Sequence, residues 1–225
     1  MQIAICSPAY GDTKAQFTYC LAELLIHAGR EGIRAEGGDK AQPQLRMLMA
    51  SSSNVALNRQ TLAEIAVGSR ADYVLWLDTD QTFPPDTLQM LFRHTGRAKV
   101  VGCNYARRTD PTGPTALRIE NGRPEFIWTD EAKARAGPLD PVDSMGLGVC
   151  LTSTEVFKAI PKPWFAPDIN GEDGYFFLKL RAAGVPAFVD HQLSLRIGHI
   201  GERVYLNADA LADRARWTPP PLQAG

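Results

Sequence analysis

Residues 73–80 read Tyr73-Val74-Leu75-Trp76-Leu77-Asp78-Thr79-Asp80, an apolar run that ends abruptly in two carboxylates. The run is long enough for a strand buried on both faces, as in a parallel sheet. Because side chains alternate along an extended chain, Asp78 and Asp80 point to the same side if the strand geometry continues. Two such carboxylates repel each other, and a cation that prefers oxygen ligands, Mg²⁺ or Mn²⁺, relieves the repulsion. A solvated turn is the alternative, because Asp is common where strands end.

The residues around this run alternate between strand and helix patterns. Strands are predicted at 2–6, 45–49, 73–78 and 99–103, and helices at 14–28, 54–68 and 86–94. Such alternation predicts βαβ units, hence an α/β, Rossmann-like, mostly parallel sheet flanked by helices. Ligands bind beyond the carboxyl ends of parallel strands, so we expect three segments to meet at one edge: 7–12, the loop after Met49, and 78–80.

The chain after residue 104 is richer in glycine and proline. Short strands near 115–119, 125–128 and 148–152 predict a mixed or antiparallel C-terminal part, and 129–143 is predicted to be a long surface loop. No linker divides the chain. We therefore expect a single domain over 1–217 with halves 1–104 and 105–217, followed by a flexible tail at 218–225.

Composition narrows the class of protein. The 225 residues are 44% hydrophobic and 22% charged, and the net charge of −1 gives no overall attraction to nucleic acid or anionic membranes. No apolar run is long enough to span a membrane, and the first residues lack the pattern of a secretory signal. The four cysteines form no C-x-x-C pair, which predicts reduced, buried thiols and a cytoplasmic protein.

Two residues in the second half could work with the carboxylates. Asp173 is predicted in the first turn of a helix, where the helix dipole keeps a carboxylate ionised and able to accept a proton; acidic residues also occur there only to stabilise helices. The segment 193–199 alternates apolar and polar residues and predicts a strand that points His199 inward. His199 is then either a core residue or a third metal ligand, and its imidazole favours Mn²⁺ over Mg²⁺.

Three further segments allow phosphate or sugar binding. Asn58-Arg59 lies in the second predicted helix, and Arg107-Arg108 follows the fourth predicted strand; in each, an arginine could pair with phosphate or be solvated at the surface. Gly146-Leu147-Gly148 offers backbone that a diphosphate or sugar could approach closely. It lacks the strand-to-helix context of a G-x-G-x-x-G phosphate loop.

Several motifs occur in a fixed order along the chain: Ser7-Pro8-Ala9-Tyr10, Asn58-Arg59, Leu75-Trp76-Leu77-Asp78-Thr79-Asp80, Gly146-Leu147-Gly148-Val149, Pro163-Trp164-Phe165, Gly171-Glu172-Asp173 and His199. Over about residues 2–200 this order resembles a small glycosyltransferase of the GT-A fold, similar to the family 2 group and its D-x-D motif. The chain departs from that group at Leu57-Asn58-Arg59, where many members have Ala-Arg-Asn. It also lacks the Q-x-x-R-W motif of processive synthases, which favours a single-transfer enzyme.

The resemblance implies metal-dependent transfer of a sugar from a nucleotide-diphosphate sugar to an acceptor hydroxyl, with a UDP-sugar favoured over a GDP-sugar. It implies that 1–104 is the nucleotide-sugar-binding half and 105–217 the acceptor-binding half. Donor contacts would come from Pro8, Ala9, Tyr10, Asn58, Arg59, Asp78, Thr79, Gly146, Leu147 and Gly148. Asp78, Asp80 and His199 would hold Mn²⁺ or Mg²⁺. Asp173, beside Glu172, would be the general base of an inverting reaction.

The resemblance leaves the acceptor open: a glycan, a lipid-linked glycan, a protein or a hydroxylated DNA base, the last not favoured by net charge. A sugar-nucleotide nucleotidyltransferase is one rival, although such enzymes carry a Gly-rich, basic loop where residues 7–14 have one Gly and one Lys. A non-catalytic nucleotide-sugar or glycan-binding protein is another. It would keep Asp78 and Asp80 but need no base at Asp173.

Overall fold

A computed structural model of the chain describes residues 1–137 and 139–220. Its strands are β1 (Gln2–Ala9), β2 (Gln44–Ser51), β3 (Tyr73–Leu77), β4 (Gln81–Thr82), β5 (Val100–Gly102), β6 (Leu117–Glu120), β7 (Arg123–Phe126), β8 (Leu139–Val142), β9 (Val149–Ser153), β10 (Ala187–Asp190), β11 (Gly198–Ile200) and β12 (Val204–Tyr205). Its helices are α1 (Ala15–Glu31), α2 (Val55–Gly68), α3 (Thr87–Phe92), α4 (Glu131–Ala136), α5 (Val156–Ala159), α6 (Gly171–Ala182), α7 (His191–Ser194) and α8 (Asn207–Asp213).

A mixed seven-stranded sheet in the order β2-β1-β3-β9-β5-β10-β8 forms the centre of the molecule. Strands β1, β2 and β3 pair in parallel, and β5 pairs in parallel with β10. Strand β9 lies antiparallel between β3 and β5, and β8 is an antiparallel edge strand. The predicted α/β class, parallel at first and mixed later, is confirmed.

The central strands are buried on both faces, as the apolar run at 73–77 predicts. On one face Ala4, Cys6 and Trp76 pack against α2, α5 and α6, and on the other Ile3, Leu75 and Leu77 pack against α1, α3 and α7. Two smaller sheets, β12-β11-β4 and β6-β7, lie outside this core. The parallel strands therefore present their carboxyl ends to one edge, where β4 and β11 also meet.

Three predicted elements were wrong. Strand β1 extends through Ala9 because β2 pairs with it as far as Ser51, so residues 7–9 are not a loop. The predicted loop 129–143 contains α4, which the Asp130 side chain caps, and β8. The predicted strand 193–199 is divided between the end of α7, which Asp190 caps, and the start of β11, and residues 195–197 connect the two.

The remaining expectations concern the cysteines, membrane spans, domain boundaries and C-terminal tail. All four cysteines are free; Cys6, Cys103 and Cys150 are buried, and Cys20 is half-buried. No helix in the described ranges is both long enough and apolar enough to cross a membrane. The single-domain boundaries remain a prediction. Of the predicted tail, 218–220 has no regular structure, and 221–225 lies outside the described residues.

Candidate functional site

The two carboxylates after β3 lie in a turn. The Asp78 N–H donates to the Gly148 carbonyl at 2.9 Å, and the Gln81 N–H donates back to the Asp78 carbonyl at 3.1 Å. The expectation that extended geometry continues through Asp80 was therefore wrong. The turn separates the two side chains, which meet different partners.

Asp78 belongs to a cluster of three carboxylates around one arginine. Arg59, on α2, has a side chain that is only 1% exposed; its Nη2 lies 3.0 Å from Asp78 Oδ2. Its Nε lies 3.1 Å from Glu172 Oε1 and 3.2 Å from Asp173 Oδ1. The guanidinium also lies 5.6 Å from the centre of the Trp76 ring. Arg59 is therefore buried and paired, and the solvated alternative was wrong.

Negative charge is in excess in this cluster, because one guanidinium faces three carboxylates. Burial raises the pKa of Asp173 to about 7 against the opposing effect of Arg59, and the charges of Glu172 and Asp78 add to the rise. Burial likewise raises the pKa of Asp78. Arg59 Nη1, Asp78 Oδ1 and Asp173 Oδ1 are buried without a hydrogen-bond partner in the described part of the chain. Such orphaned polar atoms are what a polar ligand or ordered water satisfies.

Asp173 is in the first turn of α6, as predicted. Its Oδ2 accepts a hydrogen bond from the Leu147 N–H at 3.0 Å, and its buried Oδ1 faces Arg59. Oδ2 has a second lone pair, and Asp173 lines a cavity. The carboxylate is thus held from two sides, with one oxygen left to accept a proton.

Asp80 meets a histidine and an arginine. Antiparallel pairing of β11 with β4 sets His199 opposite Gln81, and this register brings His199 Nε2 to 3.4 Å from Asp80 Oδ2. The other ring nitrogen, Nδ1, is 2.9 Å from the Ala106 carbonyl and donates to it. Arg108 Nη1 contacts the same Asp80 oxygen at 2.9 Å. Burial alone would raise the pKa of Asp80, but His199 and Arg108 together hold it below its usual value.

Asp80 and His199 offer one carboxylate and one imidazole to a cation, although Arg108 contacts the same Asp80 oxygen. Since Nδ1–H is given to a carbonyl, a protonated His199 donates Nε2–H to Asp80, whereas a neutral His199 has a lone pair on Nε2 for a cation shared with Asp80. Asp78 is turned to Arg59 instead. The described residues contain no group of three or more His, Cys, Asp or Glu side chains arranged to hold a metal. The predicted three-ligand set is thus not assembled as such.

Tyr105 explains the glycines at 146 and 148. A Cβ on Gly146 would overlap Tyr105 Oη, and one on Gly148 would lie 2.8 Å from it. The Gly148 N–H donates to that hydroxyl at 3.2 Å, and Leu147 and Gly148 are buried. The glycines thus admit a tyrosine ring, which meets His199 edge-on at 5.2 Å. That a donor also touches this backbone remains a prediction.

The remaining predicted donor contacts differ in exposure. Pro8 and Ala9 are buried in β1, whereas Tyr10, just past its end, is 80% exposed. Asn58 is buried and donates to the Ala9 and Ser52 carbonyls, each at 3.2 Å, so it ties the ends of β1 and β2 together. Thr79 is half-buried in the turn. Of this group, Tyr10 is the one most open to a ligand.

A cavity of about 760 Å³ opens beside Asp173 and His199. Apolar side chains and three arginines complete its walls, including Leu117, Ile119, Leu178, Arg107, Arg108 and Arg181. The cavity lies against residues of the second half of the chain.

The sequence patterns did not point to Tyr105 or Gln81, and they left open whether Arg108 pairs with phosphate or is solvated at the surface. Gln81 is fully buried, and both polar atoms of its side chain lack a partner among the described residues. Its position directly after Asp80 was the one sequence feature that could have indicated a place in the site. Tyr105 and Arg108 follow a parallel strand, β5, and the rule that ligands bind beyond such strands applied to them too.

Comparison with known proteins shows the fold. No model of a known protein family and no curated protein sequence matches the chain. Among solved structures, A197 from STIV is 18% identical over 92% of this chain and 94% of its own, with a TM-score of 0.59. GalNAc-T7 with UDP, GalNAc and Mn²⁺ is 11% identical over 91% of this chain and 44% of its own, with a TM-score of 0.57.

A third similar structure is a mutant of the Drosophila β-1,4-galactosyltransferase 7 in complex with manganese, UDP-Gal and xylobiose. It is 15% identical over 89% of this chain and 71% of its own, with a TM-score of 0.51. The mixed-sheet α/β architecture is therefore that of GT-A glycosyltransferase structures. At these identities the likeness concerns the fold alone.

Proposed function

We propose that the chain is a metal-dependent glycosyltransferase that moves a sugar from a nucleotide-diphosphate sugar to an acceptor hydroxyl, with inversion and with Asp173 as general base. One observation carries the proposal: Asp173 and His199 line the same cavity, and the His199 Nε2 lies 3.4 Å from Asp80. The proposed proton acceptor and one proposed cation ligand thus line one cavity, and the second proposed ligand, Asp80, is next to His199.

The donor half of the site follows from the ends of β1 and β3. Tyr10 offers an exposed ring on which a base can stack. Asp80 and His199 would hold Mn²⁺ or Mg²⁺, which when bound stabilises negative charge on the departing nucleoside diphosphate. A UDP-sugar is the favoured donor, since two of the similar structures contain UDP or UDP-Gal. Asp78 and Arg59 support the turn that positions Asp80.

Asp173 has the properties of a base that works near neutral pH. Its pKa, raised to about 7 chiefly by burial, keeps it a stronger proton acceptor than a solvated carboxylate. The acceptor hydroxyl would give its proton to Oδ2 as its oxygen bonds to the sugar carbon and the bond to diphosphate breaks. The Leu147 N–H and Arg59 keep the carboxylate oriented for this transfer.

A thermal-shift screen of UDP, UDP-sugars and GDP-sugars, with and without Mn²⁺, tests the proposal. A ligand at 100 times its dissociation constant adds about 2.7 kcal/mol, or roughly 5–10 °C for a chain of this size. We expect such a shift for a uridine nucleotide with Mn²⁺, and its loss in Asp80→Asn. Asp39→Asn, at an exposed position, is the matched control. No metal-dependent shift with any nucleotide would overturn the proposal.

Turnover separates an enzyme from a binding protein. With a UDP-sugar bound, we expect Asp173→Asn to keep the Mn²⁺-dependent shift and to lose about 10²–10⁴-fold in UDP release, the usual contribution of general-base catalysis. Equal UDP release by both forms would remove Asp173 from the reaction. Release of pyrophosphate from UTP and a sugar 1-phosphate, with no release of UDP from a UDP-sugar, would identify a nucleotidyltransferase.

A further inference from the structure

The cavity beside Asp173 has an apolar wall and an arginine-rich rim. Leu117, Ile119 and Leu178 provide apolar surface, and Arg107, Arg108 and Arg181 bring three guanidinium groups to the same space. A cavity of about 760 Å³ is of the size that holds a small molecule. The proposed role of Asp173 as general base does not account for three arginines in this cavity.

Two of the three arginines are already paired. Arg108 lies 2.9 Å from Asp80, and Arg181 Nε lies 3.5 Å from Asp143 Oδ1. Arg107 differs, because no carboxylate among the described residues forms an ion pair with it. Its Nε donates to the Pro114 carbonyl at 3.0 Å. Both Nη groups of Arg107 are left for a ligand.

Arg107 is also partly desolvated. The guanidinium lies 5.7 Å from the centre of the Phe126 ring, and burial lowers the pKa of Arg107 while the nearby Tyr105 opposes the fall only in part. A half-buried cation without a counter-ion is costly, and an oxyanion on the ligand removes that cost. The planar guanidinium suits phosphate and carboxylate geometry in particular.

We propose that the acceptor of the glycosyltransferase reaction is an oxyanion-bearing molecule, a phosphate ester or a carboxylate, which Arg107 binds in this cavity while the acceptor hydroxyl reaches Asp173. The inference rests on the proposed function and adds the chemical class of the acceptor. Its apolar portion packs on the wall formed by Leu117, Ile119 and Leu178.

Calorimetric titration of the full chain with three small probes tests the inference: phenyl phosphate, benzoate and neutral benzyl alcohol. We expect the charged probes to bind at least about tenfold more tightly than benzyl alcohol, and Arg107→Met to remove about tenfold of that affinity, the usual value of a hydrogen bond to a charged group. Arg107→Lys, which keeps the charge, should recover part of it. The stronger of the two charged probes identifies phosphate or carboxylate as the preferred group.

Arg123→Met is the matched control, because Arg123 is exposed on β7 and does not line the cavity. It should change the affinity of either charged probe by less than about twofold. Equal loss in Arg123→Met and Arg107→Met would show diffuse attraction and overturn the inference, as would equal binding of benzyl alcohol. Circular dichroism confirms that each variant is folded.

A second set of titrations in the presence of UDP and Mn²⁺ separates this inference from the proposed function. If phenyl phosphate still binds, the anion site is distinct from the donor site, as we expect. If UDP displaces it, the site belongs to the donor and the inference fails while the proposed function stands. If the chain binds phenyl phosphate through Arg107 but no nucleotide in any condition, the transferase proposal and its acceptor both fall.

Discussion

Arg59 is the single cation that holds three carboxylates of the site together. Removing it leaves the half-buried Asp78, Glu172 and Asp173 without their counter-ion, and breaking a buried pair in this way costs up to about 3–5 kcal/mol. We therefore expect Arg59→Met to lower the free energy of unfolding at pH 8 by about that amount in a urea titration. The loss should shrink at pH 5, because the raised pKa of Asp173 lets it be protonated there, which removes its repulsion with its neighbours.

The matched control for Arg59→Met is Arg46→Met, since Arg46 is exposed on the edge strand β2. Its effect should stay within about 0.5 kcal/mol. A double variant that also carries Asp78→Asn should regain part of the stability that Arg59→Met loses. An Arg59→Met chain as stable as the Arg46→Met chain would show that the cluster does not depend on the guanidinium.

The raised pKa of Asp173 makes a prediction about stability and pH. Its carboxyl has a pKa of about 7 in the folded chain and its ordinary value of 3.8 in the unfolded chain. Protonation is therefore favoured by folding, so the contribution to stability is complete below about pH 4 and is lost as pH rises through about 7. Asp173→Asn should raise the melting temperature at pH 8 by about 2–4 °C, with a smaller gain at pH 5. A pH-independent difference in melting temperature would contradict the shift.

The sequence pattern of α2 predicts that Arg59 is buried, which the alternative of a solvated surface arginine did not take into account. On α2 the buried residues Ala56, Arg59, Ala63 and Ala66 follow i, i+3, i+7 and i+10 spacing, so the arginine lies on the buried stripe. A charge on such a stripe predicts a buried partner. By contrast, the identity of that partner could not be predicted, because Glu172 and Asp173 are more than 110 residues away along the chain, and their approach depends on tertiary packing.

At the scale of elements, helix signals outweighed the strand pattern at 193–199. The alternation of Leu193, Leu195 and Ile197 fits a strand, but Asp190 caps a helix there by accepting from the Leu193 N–H. That helix ends at Ser194, and Ile197 is buried in the connection to β11. His199 faces inward as predicted, but for a different reason. Strand β11 begins at Gly198 and pairs with β4, and this pairing sets His199 beside Asp80.

The segment 146–148 is close-packed against Tyr105, and this predicts a cost for any side chain at Gly146. A Cβ there would overlap the hydroxyl and lie 2.6 Å from Tyr105 Cζ, so the ring would have to move. We expect Gly146→Ala to lower the free energy of unfolding by about 1–3 kcal/mol in denaturant titrations, as overpacking does.

Gly29→Ala is the control for this close packing. Gly29 lies in α1, and a Cβ there meets no atom within 4 Å. That variant should gain about 0.5–1 kcal/mol from helix propensity. If both alanine variants were stabilised, Tyr105 could not be packed against the 146–148 backbone as described.

For the whole molecule, the sequence predicted the fold class but not the strand order. Apolar strands followed by helices indicate a parallel sheet from local patterns alone. The insertion of β9 between β3 and β5 has no local signature, because it depends on which buried strand edges remain free after the parallel strands have paired. That insertion brings Gly148 beside Asp78 and Leu147 beside Asp173, so the candidate site exists only through long-range pairing.

The same insertion predicts that the chain unfolds as one unit rather than as two halves. One core cluster joins Ala4 and Trp76 from the first half with Phe165, Phe176 and Val189 from the second. Trp76 and Phe165 are in edge-to-face contact at 5.4 Å. The other core cluster draws most of its members from residues 1–104 but also includes Val149, Leu151 and Leu193, so both clusters contain residues of both halves and the loss of one half exposes the other.

Urea unfolding followed by two probes measures this cooperativity. Tryptophan fluorescence of the Trp76→Phe variant reports on the second half alone, because Trp128, Trp164 and Trp217 all follow residue 104. Far-ultraviolet circular dichroism of the same variant reports on the whole chain. We expect the two midpoints and slopes to coincide, as two-state unfolding requires. Separate transitions would mean that the halves fold independently, and the shared core would then contribute little to holding the site together.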